Sequence, residues 1–155
     1  MVKRVFGAWN NQEIVSCRFQ VKFDRCSTRP EAAPSTLCTE PNQGTTKAQK
    51  PATLPAVLMG ASLTDTDEDW VRVKIPAGGN KTIHAFTYGD DPLTDTWIEL
   101  LGSNGTTVLG RSSDQGFHED FYSDAMGPGT YYLKVYPSDY FDPSHDGYSV
   151  AISLE

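Results

Sequence analysis

Short apolar segments separated by turn residues recur at about ten-residue intervals over the last two thirds of the chain. They are rich in Val, Thr, Tyr and Phe, which favour strands, and none has the 3.6-residue period of an amphipathic helix. This spacing predicts an antiparallel β-sandwich or barrel with little helix. The predicted strands are Val57–Leu63, Trp70–Ile75, Lys81–Tyr88, Thr96–Leu101, Thr106–Leu109, Phe117–Tyr122, Thr130–Tyr136 and Tyr148–Leu154.

The turn Ser103-Asn104-Gly105 separates two of these segments and is the clearest hairpin signal in the chain. Asn and Gly accept the positive φ angles that tight hairpin turns require. The motif predicts local structure and carries no information about function.

The part of the chain before these segments has a different pattern. Residues 14–23 alternate between apolar and polar positions, which predicts a half-buried strand. Residues 27–55 are rich in Pro, Thr, Ser, Ala and Gln, which is typical of an extended linker or wrapped arm rather than a packed element. The chain therefore divides into a basic N-terminal piece and an acidic C-terminal domain.

Charge follows the same division. Residues 1–50 carry eight Lys/Arg and four Asp/Glu, a balance of +4, whereas residues 51–155 carry five and sixteen, a balance of −11, which together give the net charge of −7. So acidic a domain is poorly suited to neutralise phosphates, and we expect no nucleic-acid role. No apolar run is long enough to span a membrane, and the start of the chain lacks an apolar stretch of signal-peptide length.

The three cysteines are Cys17, Cys26 and Cys38, and their spacing matches no zinc motif. In a secreted protein, Cys17–Cys26 or Cys26–Cys38 would form one disulfide and leave one thiol. In a cytosolic protein all three would be reduced. The odd count favours an oxidising origin with a partner cysteine outside this chain.

The run Asp65-Thr66-Asp67-Glu68-Asp69-Trp70 places four carboxylates within five residues, directly before a predicted strand. Carboxylates so close together repel one another unless a cation lies between them, and oxygen ligands favour Ca²⁺ above all. The alternative is an acidic turn that faces water.

Several motifs, in order and spacing, resemble the bacterial pre-peptidase C-terminal domain and are similar to the collagen-binding domains of clostridial collagenases. They are Glu40-Pro41-Asn42-Gln43, Gly60-Ala61-Ser62-Leu63, the run from Asp67 to Gly78, the run from Ile98 to Gly105, the run from Pro128 to Tyr136, and Gly147-Tyr148-Ser149-Val150. The resemblance covers about residues 38–155. It implies an all-β, antiparallel, jelly-roll-like β-sandwich with an extended Pro-rich N-terminal arm. Residues 1–37 would be an N-terminal extension with one strand, the remnant of a preceding domain.

The resemblance also implies a shared Ca²⁺ site between the arm and the acidic loop. The matching positions are Glu40 and Asn42 on the arm and Asp67 and Asp69 before the strand, while Asp65 is a candidate by proximity alone. Ca²⁺ takes six to eight oxygens, and neither half supplies enough by itself. The ion would therefore tie the arm to the sandwich and stabilise the domain.

A polymer-binding face is predicted on one of the later strands. Tyr132, Lys134 and Tyr136 share one side of it, where two aromatic rings and a cation suit an extended polypeptide or glycan. The collagen-binding relatives use aromatic residues in this region. The alternative is that tyrosines are simply favourable strand residues.

A second cation site near Asp139, Asp142 and Asp146 competes with the simpler interpretation of turn aspartates, which we prefer.

The sequence thus predicts a non-catalytic, Ca²⁺-binding accessory module of a secreted bacterial protein. It would be a monomer that stabilises its parent protein or targets it to a collagen-like protein or polysaccharide. The alternatives are a small hydrolase or enzyme inhibitor that uses His118-Glu119-Asp120, and a structural subunit of a larger assembly.

Overall fold

The computed structural model describes residues 34–64, 66–89, 94–112, 118–142, 144 and 147–155. Residues Pro34–Glu155 form one compact unit. The predicted extension of residues 1–37 lies outside the described residues except for residues 34–37. Asp65, Asp146, Cys17 and Cys26 also lie outside them.

The described strands form two sheets. The strands are β1 (Ser35–Leu37), β2 (Ala56–Ser62), β3 (Asp69–Ile75), β4 (Ile83–Gly89), β5 (Thr96–Leu101), β6 (Val108–Ser112), β7 (Asp120–Tyr122), β8 (Gly129–Pro137) and β9 (Gly147–Leu154). One sheet has the order β1-β2-β9-β4-β7 and the other has the order β3-β8-β5-β6. All described pairs are antiparallel except β1 with β2, which confirms the predicted antiparallel β-sandwich.

The core lies between the sheets and is built by alternation along the strands. On β3, Val71, Val73 and Ile75 are buried, whereas Arg72 and Lys74 between them are exposed. Burying one side chain of this size contributes about 1.5–3 kcal/mol. The side chains with no exposed surface include Leu58, Leu63, Val73, Ile83, Ile98, Leu100, Leu133, Val135 and Ile152.

The Pro-rich arm is more ordered than its composition predicts. Its first described residues, β1, pair in parallel with β2. It then forms a one-turn helix, α1 (Gly44–Lys47), and Gln49 pairs with β3 by accepting from the Arg72 amide (2.8 Å) and donating to the Trp70 carbonyl (2.8 Å). The expectation that this stretch holds no packed element is therefore wrong at these points. The arm forms regular structure because its backbone hydrogen-bonds to an edge strand of each sheet.

The predicted hairpin connects β5 and β6. The Asn104 side-chain oxygen accepts from the amides of Thr106 and Thr107, both at 3.0 Å, and Gly105 has φ +70°. A Cβ at residue 105 would also overlap the methyl group of Thr45 in α1. Glycine is thus required here both by the turn and by the close approach of the arm.

Candidate metal centre

The buried amide of Asn42 lies at the point where the arm meets β3. Its Nδ2 donates to Glu40 Oε1 (3.1 Å), to Cys38 Sγ (3.4 Å) and to Asp69 Oδ1. Its Oδ1 accepts from the Trp70 amide at 3.4 Å. The structure therefore brings together three of the predicted ligands, Glu40, Asn42 and Asp69. Their role as ligands stays a prediction.

Asp69 connects the arm to both sheets. It is the first residue of β3, where it pairs with Val135 of β8 in the four-stranded sheet. Its Oδ2 accepts a hydrogen bond from the hydroxyl of Tyr148, which lies on β9 of the five-stranded sheet. Both side chains are 2% exposed. A substitution at Asp69 would consequently affect the arm and both layers of the sandwich.

The negative charge at this position is poorly compensated. Burial raises the pKa of Asp69 to about 7, the hydrogen bonds from Tyr148 and Asn42 act in the opposite direction, and the nearby Glu40 raises it further. The ion pairs between described residues all lie elsewhere, so no described basic side chain neutralises Asp69 or Glu40. A bound cation would supply the missing positive charge.

Cys38 completes the cluster. One ligand atom each from Cys38, Glu40 and Asp69 lies within 4.8 Å of the others. Burial, followed by the charges of Asp69 and Glu40, raises the pKa of the Cys38 thiol to about 12. Cys38 is a free thiol in the structure, and Cys17 and Cys26 lie outside the described residues, so the cysteine pairings stay predictions.

The sequence did not point to Cys38 or Tyr148 as members of the site. Cys38 precedes Glu40 by two residues, a spacing that places both side chains on one side of an extended segment. This two-residue spacing is a local sequence signal for Cys38 as a member of the site. Tyr148 is 79 residues from Asp69 in the chain, and no local pattern links the two.

The remaining predicted ligands are held differently. Asp67 Oδ1 accepts from Gln43 Nε2 of the arm and from the Glu68 amide at 2.9 Å. Asp67 does not belong to the cluster of Cys38, Glu40 and Asp69. Asp65 lies outside the described residues. Among the described residues, side-chain hydrogen bonds therefore join the acidic loop to the arm through Asn42 with Asp69 and through Gln43 with Asp67.

The predicted polymer-binding residues lie on the outer face of the four-stranded sheet but differ in accessibility. Tyr132 is 9% exposed and packs with Ala48, Trp70 and Leu101 beneath the arm. Lys134 Nζ pairs with Glu99 Oε2 at 2.7 Å and lies 4.5 Å from the centre of the Tyr136 ring. The rings of Tyr136 and Trp97 pack edge-on, with 5.7 Å between their centres. The half-buried Trp97 and Tyr136 are thus the aromatic pair that this face presents.

An ion-pair network beside these rings makes a testable contribution to stability. Burial acts to raise the pKa of the Glu99 carboxyl, but the hydrogen bond and charge of Lys134 and the charge of Arg111 outweigh it, and the net effect lowers the pKa below 4.5. A lowered folded-state pKa gives stability that is present above the unfolded value and is lost as pH falls through the folded value.

We therefore expect the difference in unfolding free energy between the natural protein and Glu99→Gln to be largest near neutral pH and to shrink below pH 4.5. Urea unfolding at a series of pH values measures this difference. Because other carboxylates titrate in both proteins, the comparison isolates Glu99. A difference that stays constant through the acid range would contradict the prediction.

The residues His118, Glu119 and Asp120 contact different neighbours. His118 is exposed, and its ring centre lies 5.8 Å from that of Phe86. Glu119 is fully buried and accepts a hydrogen bond from the Ser112 hydroxyl. Asp120 pairs with His84 Nε2 at 2.7 Å. The three side chains alternate between the two sides of the chain, as neighbours in an extended segment do.

The turn after β8 supports the simpler interpretation of its aspartates. Asp139 is exposed, and Asp142 Oδ1 accepts from the amide (2.9 Å) and hydroxyl (2.7 Å) of Ser144. These are the local hydrogen bonds that aspartate makes in turns. Asp146 lies outside the described residues.

No protein-family model and no curated protein sequence matches the chain. Among solved structures, the chain is similar to the pre-peptidase C-terminal domain of a collagenase from Bacillus anthracis, with 18% identity over 83% of this chain and 100% of that one, at a TM-score of 0.50. It also aligns with PliG, a periplasmic inhibitor of g-type lysozyme from Aeromonas hydrophila (17% identity, 80% and 100% coverage, TM-score 0.48). A third match is the carbohydrate-binding module CBM36 in complex with calcium and xylotriose (11% identity, 61% and 75% coverage, TM-score 0.34).

At these identities the similarity concerns the fold, and the last two alignments are too distant to extend it. No helix among the described residues is long and apolar enough to cross a membrane. The predicted resemblance is confirmed at the level of architecture: the chain has the fold of a pre-peptidase C-terminal domain.

Proposed function

We propose that this protein is a non-catalytic, Ca²⁺-binding β-sandwich module of a secreted bacterial protein, which it stabilises or targets to a polymeric substrate. The observation that carries the proposal is the buried carboxylate of Asp69, which faces Glu40 and Asn42 of the arm with no described basic side chain to neutralise it. Carboxylate and amide oxygens are the ligands that Ca²⁺ prefers.

The ligands would come from both sides of the contact between arm and sandwich. Glu40 and Asp69 supply carboxylate oxygens, and Asn42 would supply its amide oxygen in place of the nitrogen that now donates to both carboxylates. Asp67, held by Gln43, and Asp65 are the further candidates that the sequence proposes. When bound, the ion would supply the positive charge that this cluster lacks, and the chain's own residues would hold the arm against β3.

Calorimetric titration with Ca²⁺, combined with thermal unfolding in Ca²⁺ and in EDTA, tests the metal-binding part. We expect a heat of binding and a lower melting temperature in EDTA, because a ligand that binds only the folded state stabilises it. Mg²⁺ serves as the matched control, since it demands a tighter octahedral geometry and should bind more weakly. No heat together with an unchanged melting temperature would overturn the Ca²⁺ proposal.

A targeting role is supported by the outer face of the four-stranded sheet, where Trp97 and Tyr136 are partly exposed beside Lys134. Aromatic rings of this kind can stack against sugars or the flat faces of a polypeptide. The fold is also that of a domain carried by a collagenase. Pull-down on collagen, chitin and cellulose tests the idea. Binding that Tyr136→Ala weakens and that the exposed control Tyr140→Ala preserves would support it, and uniform failure to bind would leave a structural role.

A further inference from the structure

We propose that the same centre accepts a borderline divalent cation of the Zn²⁺ class in competition with Ca²⁺, with Cys38 Sγ as a ligand beside Glu40 and Asp69. The inference rests on the proposed function, because it concerns the site assigned to Ca²⁺. It adds a thiol ligand, which an oxygen-only calcium site does not have, and a competing metal.

The spacing of the three groups suits a small cation. The ligand atoms of Cys38, Glu40 and Asp69 all lie within 4.8 Å of one another. Around one zinc ion, bonds of about 2.3 Å to sulfur and about 2.1 Å to oxygen place tetrahedral ligands roughly 3.6 Å apart. Rotation of the side chains that moves each ligand atom by about 1 Å is then enough for all three to bind one ion.

The hydrogen bonding of Asn42 independently marks the centre of the cluster. A single nitrogen, Nδ2, contacts Cys38 Sγ, Glu40 Oε1 and Asp69 Oδ1. An amide nitrogen carries two hydrogens, so it cannot donate fully to three acceptors at once. The three groups therefore crowd around one nitrogen of the Asn42 side chain, which is 1% exposed. A cation placed where Nδ2 now lies could bind all three groups at once.

The thiol ligand determines which cation binds more tightly at this centre. Ca²⁺ is hard and takes oxygen ligands, so sulfur adds little to its binding. Zn²⁺ binds thiolate, carboxylate and imidazole ligands, and a thiolate strengthens its binding most among these side chains. When Zn²⁺ binds, the thiol proton passes to solvent and a Zn–S bond replaces the S–H bond. Cys38 should consequently raise the affinity for Zn²⁺ and leave that for Ca²⁺ nearly unchanged.

The experiment uses the full reduced chain in which Cys17→Ser and Cys26→Ser leave Cys38 as the sole thiol. Co²⁺ reports on thiolate ligation through its sulfur-to-metal charge-transfer absorption, and Zn²⁺ affinity is measured by titration with and without Ca²⁺. We expect the absorption to appear with Co²⁺ and to be displaced by Zn²⁺ and by excess Ca²⁺. Adding Cys38→Ser should abolish the absorption and weaken Zn²⁺ binding by about tenfold or more, while Ca²⁺ binding changes little.

The outcomes separate the two proposals. Ca²⁺ binding without the charge-transfer absorption, or equal Zn²⁺ affinity with and without Cys38, would overturn the thiol ligand and leave the calcium site standing. An absorption that excess Ca²⁺ cannot displace would overturn the competition. Failure of both Ca²⁺ and Zn²⁺ to bind would overturn the metal-binding part of the proposed function together with this inference.

Discussion

Replacing Asp69 with alanine is expected to remove most of the stabilisation that Ca²⁺ gives to this protein. At a Ca²⁺ concentration of about one hundred times the dissociation constant, a single site adds about 2.7 kcal/mol to the free energy of unfolding. For a unit of this size that corresponds to a rise in melting temperature on the order of 10 °C. The alanine variant should lose this increment, because Asp69 is the buried carboxylate that the arm residues face.

The quantity to compare between variants is the increase in unfolding free energy that Ca²⁺ causes, not the absolute stability. Alanine also leaves the buried hydroxyl of Tyr148 without its acceptor, which costs about 1–3 kcal/mol whether or not Ca²⁺ is present. Asp139→Ala is the matched control, since it removes the same charge from an exposed turn. The control should keep the full Ca²⁺-dependent shift. An equally large shift in Asp69→Ala would show that the ligand assignment is wrong even if the ion binds.

Replacing Trp70 with alanine is expected to lower the free energy of unfolding by about 3–5 kcal/mol, as large-to-small changes at buried aromatic positions do. Trp70 is 8% exposed, packs with Ala48, Leu101 and Tyr132, and donates its indole N–H to Glu68 at 3.1 Å. Ala48 belongs to the arm, so the truncation removes the apolar contact that holds the arm against the four-stranded sheet.

Two measurements distinguish loss of the arm from a general loss of stability. Urea unfolding gives the free energy, and limited proteolysis with trypsin under native conditions probes Lys47, the exposed lysine directly before Ala48. We expect faster cleavage there in Trp70→Ala and unchanged cleavage in the control Tyr140→Ala, whose ring is 67% exposed. Native-like resistance in Trp70→Ala would contradict the role of this cluster in docking the arm.

The metal centre and the Trp70 cluster should also be coupled. Both lie where the arm crosses β3, one through Asn42 and Asp69 and the other through Ala48 and Trp70. An arm that is already ordered by apolar contacts costs less entropy to fix with a metal. Weakening the Trp70 cluster should therefore reduce metal affinity without removing any ligand.

Most of the strands could be predicted from the sequence because their causes are local. β5 begins and ends at the predicted residues, and β8 and β9 start one residue before the predicted positions. β6 and β7 differ more: β6 begins at Val108 and β7 is only three residues long. In a β-strand the period of two, and in a turn the preference of Asn and Gly for positive φ, act over a few neighbouring residues.

The arm could not be predicted in the same way, since its order comes from elsewhere in the chain. Nothing in the composition of residues 27–55 favours a strand. β1 forms because β2 offers unpaired backbone groups, and Gln49 pairs with β3 for the same reason. The same packing buries Tyr132, which alternation alone assigned to an open face.

By itself, the sequence determined the positions of most strands and turns along the chain and, through its resemblance to a known domain, the pairing of Glu40 and Asn42 with Asp69. Only the tertiary structure added Cys38 and Tyr148 to that centre and showed which aromatic rings the arm covers. The physical reason is distance along the chain. Periodicity and turn chemistry act between near neighbours, whereas a buried ligand cluster depends on which residues the packed sheets and the arm bring together from far apart.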